Sequence, residues 1–441
     1  MEILLAWSKG KKPLDLYIHK IASGLSPQNQ AFCRSLVYTV LRQRQYLEHV
    51  ITLFSRYPLH KMKPKTIITL EIGVAQLIFM DHVPESAAVH STVGAFKASG
   101  QPRWLVGFVN GLLRTVAKNT DSLPGSDNAM QDKQPILNHP EWQVKRWAAR
   151  FGRKICLEIC RVNNYAPVLT LRVNTRLLSR EELVTMFVEN RIAARLCPYS
   201  PVGILLPRAS GAITELPGYR QGAFAVQDTS AQLATLLLGV GNQGKRFLDG
   251  CAGLGGKTTH IAQDLPGAGT LVAVEPDHRR NNLLKENLKR LQLTSQVNIL
   301  KSNLEEYAAT KPEPFDGILL DVPCSGTGVI RRKPDIRWTR ELADLEKLAT
   351  RQSQLLSLAS SLVAAGGRLV YATCSLEPEE NEQIVTNFLK RHPTFFLADA
   401  RKYLPDSSAE LVDSQGFFRP LPGPEHDGFF AAVLQRRTSF L

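Results

Sequence analysis

The sequence predicts a multidomain chain: an all-α bundle in front, a small α+β linking unit, and an open α/β sheet behind. Three observations carry this. Apolar residues recur at helical spacing through the first ~130 positions. Beyond Asp228, short β-like runs alternate with helical stretches. And 441 residues is more than one core ordinarily organises. The expected boundaries are 1–130, 131–227 and 228–441.

In the front part, Phe32, Leu36, Val40 and Leu41 form one stripe, and Leu47, Val50, Ile51 and Phe54 a second. Leu70, Val74, Leu77 and Ile78 continue the pattern, then Val89, Val93 and Phe96, then Leu105, Phe108, Val109, Leu112 and Val116. Pro58, Pro64, Pro84 and Pro102 separate these runs as helix breakers. The polar stretch from Lys118 to Gln134, centred on Pro124-Gly125-Ser126, reads as a linker.

In the middle part, Glu141 to Cys160 reads as helix, anchored by Trp142 and Trp147. Val168 to Val173 alternates like a strand, and Ser179, with Glu182 three residues on, opens a helix in the capping-box pattern. Gly203 to Leu206 and Ala223 to Val226 are further short β-like runs. The back part offers strands at Arg246–Leu248, Thr270–Val274, Val297–Leu300, Gly317–Leu320, Gly367–Tyr371 and Phe429–Leu434. Its best-defined helix runs from about Leu342 to Leu362.

Composition narrows the class of function. No apolar run approaches the ~18 residues a membrane helix needs, and the patch from Ile3 to Trp7 is too short for a secretory signal. The seven cysteines are scattered without a Cys-x-x-Cys pair, which argues against a disulfide framework or zinc site and for a reducing cytosol. Cys156 and Cys160, spaced for one helix face, read as core, and no metal is expected. The net charge of +14 sits in front: residues 1–135 carry 16 Lys and Arg against 9 Asp and Glu, and residues 136–235 carry 13 against 7. An excess over two consecutive regions fits an extended polyanion, most simply nucleic acid. An anionic membrane surface fits less well, because no strongly amphipathic basic helix stands out.

Two cysteines carry the chemistry. Cys324 sits in Leu319-Leu320-Asp321-Val322-Pro323-Cys324-Ser325, and Cys374 in Val370-Tyr371-Ala372-Thr373-Cys374-Ser375. Each follows a run of the kind that makes a buried parallel strand, and ligands of open α/β sheets bind beyond the carboxyl ends of the strands. One such thiol alone is as often a buried structural cysteine. Two delivered to the same edge are placed for reaction.

The loop from Asp249 to Thr259 (Asp-Gly-Cys-Ala-Gly-Leu-Gly-Gly-Lys-Thr-Thr) leaves a strand and enters a helix. As a phosphate loop it is one residue too long between Gly250 and Gly256. As a dinucleotide fingerprint it lacks the last glycine, whose place Thr258 takes. A plain tight turn would not need so many glycines. S-adenosylmethionine has no pyrophosphate and so does not demand that spacing. It does need an acid after the second strand for its ribose hydroxyls, and Glu275 is so placed. Arg331, Arg332, Lys333, Arg337 and Trp338, close behind the Pro-Cys motif, are placed to hold a nucleic-acid backbone and stack a base; a charged loop with one Trp is often plain surface, but this one adjoins the candidate site.

Together these motifs resemble the RNA 5-methylcytosine methyltransferases, most closely the Sun/Fmu (RsmB) branch that modifies 16S ribosomal RNA. The resemblance spans the chain, from the front helices through Gln227-Asp228 to Asp427-Gly428-Phe429-Phe430. It implies a NusB-like helical domain, a small linking domain and a Rossmann-like methyltransferase domain that uses S-adenosylmethionine. It implies cofactor contacts from Cys251, Ala252, Gly253, Leu254, Gly255, Gly256, Lys257, Glu275, Asn303 and Asp321. The family loop usually reads Ala-Ala-Pro-Gly-Gly-Lys, so Gly253 and Leu254 depart from it. Asn303 stands where an Asp normally meets the adenine amino group, and can accept through its amide oxygen.

The resemblance further implies Cys374 as nucleophile towards carbon 6 of cytosine, Cys324 assisting product release, and Asp321 holding the cytosine edge. Lys257 reads as lining the base pocket or facing solvent. A cytoplasmic, monomeric enzyme acting on 16S ribosomal RNA is the expectation. The competing one is a non-catalytic RNA-binding assembly or antitermination factor with a relic methyltransferase domain.

Overall fold

The computed structural model describes residues 1–10, 12–131, 134–207, 211–241 and 245–438. They form two compact units: Met1–Ala166 with Ile330–Thr339, and Pro167–Val329 with Arg340–Leu441.

The first unit is helical. The predicted stripes lie on helices Pro27–Arg42, Arg44–Phe54, Pro64–Phe79, Glu85–Ala98 and Arg103–Ala117. Their apolar faces meet in a core that includes Leu41, Leu47, Val50, Ile51, Leu70, Val74, Phe96, Val109 and Leu113, all essentially inaccessible to water. The prolines act at starts: Pro64 is the first residue of its helix, and Pro84 and Pro102 directly precede theirs. A helix's first N–H groups have no internal partner, so the missing proline donor costs nothing there. Two short helices precede the bundle, Glu2–Lys9 and Leu14–Ala22, and bury Ile3, Leu4, Trp7, Leu14 and Ile18. At about two turns each they offer too little periodicity to be read from sequence.

Two expectations change here. The stretch read as a linker lies against the bundle: the Tyr46 hydroxyl donates to the Pro124 carbonyl at 2.8 Å, and Ala129 is buried. Asp132 and Lys133 of that stretch lie outside the described residues. The helix expected from Glu141 to Cys160 is two, Glu141–Phe151 and Arg153–Asn163. Gly152 at φ +81 breaks it, a conformation other residues reach only with strain. Both helices pack in the first unit and not with the α+β region. Trp147 is fully buried edge-on to His139, and Trp142 is half-buried.

The second unit holds two sheets. The smaller, antiparallel one runs Arg195–Leu196, Gly203–Leu206, Leu169–Val173, Phe224–Val226 in spatial order. Helix Arg180–Glu189 lies beside it, opened by the Ser179–Glu182 capping box as read from the sequence. The larger is Rossmann-like, ordered Phe395–Ala398, Phe430–Arg436, Val363–Thr373, Phe315–Asp321, Arg246–Asp249, Thr270–Val274, Val297–Leu300. The last five strands of that order pair in parallel, and Phe430–Arg436 runs antiparallel to both of its neighbours. Phe395–Ala398 is an edge strand without alternation, and the sequence reading does not contain it. The strand order reverses between Arg246–Asp249 and Phe315–Asp321, where Leu319 pairs with Asp249. A crevice at the strand ends belongs at such a switch point. No helix of the described residues is long and apolar enough to cross a membrane.

Candidate active site

Strands Phe315–Asp321 and Val363–Thr373 are parallel neighbours with Asp321 opposite Ala372. The loops that follow therefore emerge side by side and bring Cys324 and Cys374 together. Their sulfurs are 3.0 Å apart, and the Cys374 backbone N–H donates to Cys324 Sγ at 3.3 Å. The hydrogen bond to Cys374, burial, and the charges of Glu380 and Asp321 push the Cys324 thiol well above its ordinary value. Cys324 thus keeps its proton and can donate it.

The glycine loop reaches the same edge. Lys257, on the helix Gly256–Asp264 that the loop opens, pairs with Asp321 at 2.5 Å. Burial lowers its ammonium, but Asp321, by charge and hydrogen bond, and then Cys374 outweigh it and hold Lys257 protonated above its usual value. The ammonium also lies 5.1 Å from the centre of the Phe429 ring. So Lys257 does not face solvent. Gly253 and Gly255 have φ of +57 and +86, and a Cβ on Gly255 would meet Leu284 at 2.3 Å. Asp249 is enclosed beneath the loop and accepts from Thr258 Oγ1 at 2.7 Å and the Cys251 N–H at 3.3 Å. Burial pushes its carboxyl up to about 6. Buried Arg172 of the small sheet donates to the Gly256 carbonyl at 2.7 Å and to Thr259 Oγ1 at 2.9 Å, which fixes the helix start from behind.

The other expected cofactor residues surround this loop. Ala252 and Gly255 are buried, Cys251 and Gly253 half-buried, and Gly256 and Leu254 exposed, Leu254 at 53%. Glu275, at the end of the second strand, is 4% exposed and accepts the Asp277 N–H through Oε1 at 2.8 Å. Asn303 caps helix Leu304–Ala309, with Oδ1 accepting the Glu306 N–H at 2.8 Å. Only the second lone pair of that oxygen remains for a further donor. A loop of positive-φ glycines, a pinned acid after the second strand and an acceptor after the third suit a nucleoside with two ribose hydroxyls and an exocyclic amine. The residues present fit S-adenosylmethionine on that ground.

The basic segment behind the Pro-Cys motif is a correction. Residues 330–339 belong to the helical unit. Arg337 is fully buried and donates to the carbonyls of Arg42 (2.9 Å), Asn138 (2.6 Å) and Asn163 (2.8 Å) and to Asn164 Oδ1 (3.0 Å). Trp338 gives its indole N–H to the Leu41 carbonyl at 2.8 Å, beneath the Arg44 guanidinium. Arg331 is 3% exposed. Arg331 and Arg337 are enclosed and Trp338 is half-buried with its indole N–H taken, while Arg332 (half-buried) and Lys333 (exposed) are the cations that keep accessible side chains.

Sequence reasoning missed the polar group beneath the thiols. Glu380 is fully buried and takes hydrogen bonds from the Ser325 N–H, Gln352 Nε2 and Ser375 Oγ. The signal was present as a serine directly after each cysteine, with Pro378-Glu379-Glu380-Asn381 close behind.

Comparison with known proteins agrees with this architecture. The family model "16S rRNA methyltransferase RsmB/F" matches residues 236–435, the NusB family model residues 1–118, and an RsmF/B-like ferredoxin-like domain residues 139–212. Ribosomal RNA small subunit methyltransferase B of Pseudomonas putida is 34% identical over 435 residues, covering 98% of this chain and 96% of the relative. The probable methyltransferase B of Synechocystis is 35% identical over 417 residues, 93% of this chain and 92% of that one. The crystal structure of PH0851 shares the fold, with a TM-score of 0.77 at 24% identity over 96% of this chain and 95% of that chain. With similarity of this extent running through every part of the chain, the protein belongs to the 16S rRNA methyltransferase RsmB/F family.

Proposed function

We propose that the chain transfers a methyl group from S-adenosylmethionine to carbon 5 of a cytosine in 16S ribosomal RNA, in the cytosol, through a covalent bond to Cys374. The observation that carries this reading is the pair of sulfurs 3.0 Å apart at the ends of neighbouring strands, beside the Lys257–Asp321 ion pair. Family membership and the names of the relatives support the substrate class.

Carbon 5 of cytosine is too electron-poor to attack an electrophilic methyl unaided. Addition of the Cys374 thiolate to carbon 6 makes it enamine-like, so one hard step becomes two easier ones. Asp321 holds the edge of the base while nitrogen 3 takes up a proton. The Lys257 ammonium keeps Asp321 in place. S-adenosylmethionine, when bound, supplies the methyl group; the glycine loop, Glu275, Asn303 and Asp321 would hold it. Loss of the carbon 5 proton to solvent then expels the Cys374 thiolate, nitrogen 3 gives back the proton it took up, and Cys324 assists this release. The target base must leave its stack to reach such a site, which favours a looped or unpaired cytosine. Arg332 and Lys333 are the members of the basic segment left to contact RNA backbone.

Labelled-methyl transfer to 16S ribosomal RNA tests the reading. Cys374→Ala is expected to abolish incorporation. Cys324→Ala is expected to accumulate a protein–RNA adduct that survives denaturant. Tight RNA binding without any incorporation by the intact chain would point instead to a non-catalytic assembly factor, and bisulfite mapping would locate the cytosine.

A further inference from the structure

Cys324 lies between Pro323, whose carbonyl accepts from Gln352 Nε2 at 2.9 Å, and Ser325, whose N–H donates to Glu380 Oε1 at 2.9 Å. The same Gln352 nitrogen donates to Glu380 Oε1 at 2.8 Å. Cys374 is followed by Ser375, whose hydroxyl donates to Glu380 Oε2 at 2.5 Å. The Glu380 backbone carbonyl accepts from the hydroxyl of Tyr371, on the strand that delivers Cys374, at 2.6 Å. One carboxylate, 0% exposed, therefore gathers three donors: the loop of one thiol, the loop of the other, and helix Leu342–Ser361.

From this convergence we infer that Glu380 is a positioning residue for the two-thiol reaction, setting the separation and aim of Cys324 and Cys374 without touching substrate. The inference rests on the cysteine chemistry proposed above. Three donors meeting on two oxygens require a group that only accepts. A glutamine presents one oxygen and turns an N–H towards a donor. Burying so polar a group with no ion pair among the described residues is costly, and a site that needed only packing would be better served by an apolar side chain. Here three hydrogen bonds offset that cost.

The test uses the full chain with Glu380→Gln and, as the milder cut, Ser375→Ala. The first measurement is independent of methyl transfer. Oxidised glutathione takes two electrons and two protons from Cys324 and Cys374, forming a disulfide and two glutathione thiols, and mass spectrometry gives the rate. The second is kcat and KM for labelled-methyl transfer. In Glu380→Gln, disulfide formation and kcat are expected to fall together by roughly 10–100-fold, with KM for the methyl donor within about threefold, because a displacement near 1 Å has that effect. Ser375→Ala shifts both the same way by less, and carries the test if the first variant does not fold. Wild-type disulfide rates in both variants overturn the inference. Slowed disulfide formation with wild-type methyl transfer leaves the thiol geometry dependent on Glu380 and overturns the two-thiol chemistry instead.

Discussion

Glu71, on helix Pro64–Phe79, is 2% exposed with its nearest cation, Arg44, 3.5 Å away. Burial, only partly opposed by Arg44, pushes its carboxyl up to about 7 from 4.5. Between those values the folded chain holds a proton that the unfolded chain has released, so stability from this group is full below the unfolded value and lost as pH rises through the folded one. Glu71→Gln carries no such proton. Its advantage over the wild type is expected to be near zero at about pH 4.5 and to grow to roughly 3 kcal/mol above about pH 7. Denaturant melts across pH check this, and a difference independent of pH would refute the buried-acid account. The same side chain shows what residue-level sequence reading lacks. Glu71 directly follows the predicted stripe residue Leu70, and nothing in its neighbours marks it as enclosed.

Elements were legible where a period repeats for several turns or a strand is bounded by turn residues, as in Arg103–Ala117 and Thr270–Val274. The loops that carry the thiols depend on close backbone approach. The Gly328 N–H donates to the Cys374 carbonyl at 2.9 Å and its own carbonyl accepts the Gly428 N–H at 2.9 Å. A Cβ on Gly328 would lie 2.3 Å from the Gly428 oxygen and 3.0 Å from that of Cys374, backbone atoms that cannot swing aside. Gly328→Ala is expected to displace Cys374 and lower kcat by roughly 10²-fold. Gly253→Ala meets nothing within 4 Å and costs only the left-handed conformation, about 1–2 kcal/mol. It should therefore weaken cofactor binding while sparing the thiols. Single-turnover methyl transfer and cofactor titration separate the two, and equal losses in kcat would sink the distinction.

At the scale of the whole chain, the path leaves the methyltransferase unit after Val329, completes the helical unit with residues 330–339, and returns at Arg340. Arg337→Met keeps most of the volume and strands four oxygens that now accept from the guanidinium. Its expected cost is on the order of 3 kcal/mol, read as earlier thermal unfolding and faster proteolysis of the helical unit. Loss of RNA affinity at unchanged stability would restore the residue to the RNA-contact role that its charge first suggested.

The sequence by itself determined the three-part architecture, the sheet class, and the residue types of the site. Each depends on local period, turn chemistry or a short motif: the stripes of the bundle, the glycine run at 250–256, the cysteines directly behind apolar strands. Tertiary structure alone decided that Cys324 and Cys374 stand within touching distance, that Glu380 ties their loops, and that Arg337 is interior. Those outcomes turn on contacts between residues 50 (the thiols), 55 (Ser325 and Glu380) and up to 295 positions apart (Arg337 and Arg42). Whether a charged side chain is solvated or enclosed follows from which distant atoms surround it, and no periodicity in its own neighbourhood records that.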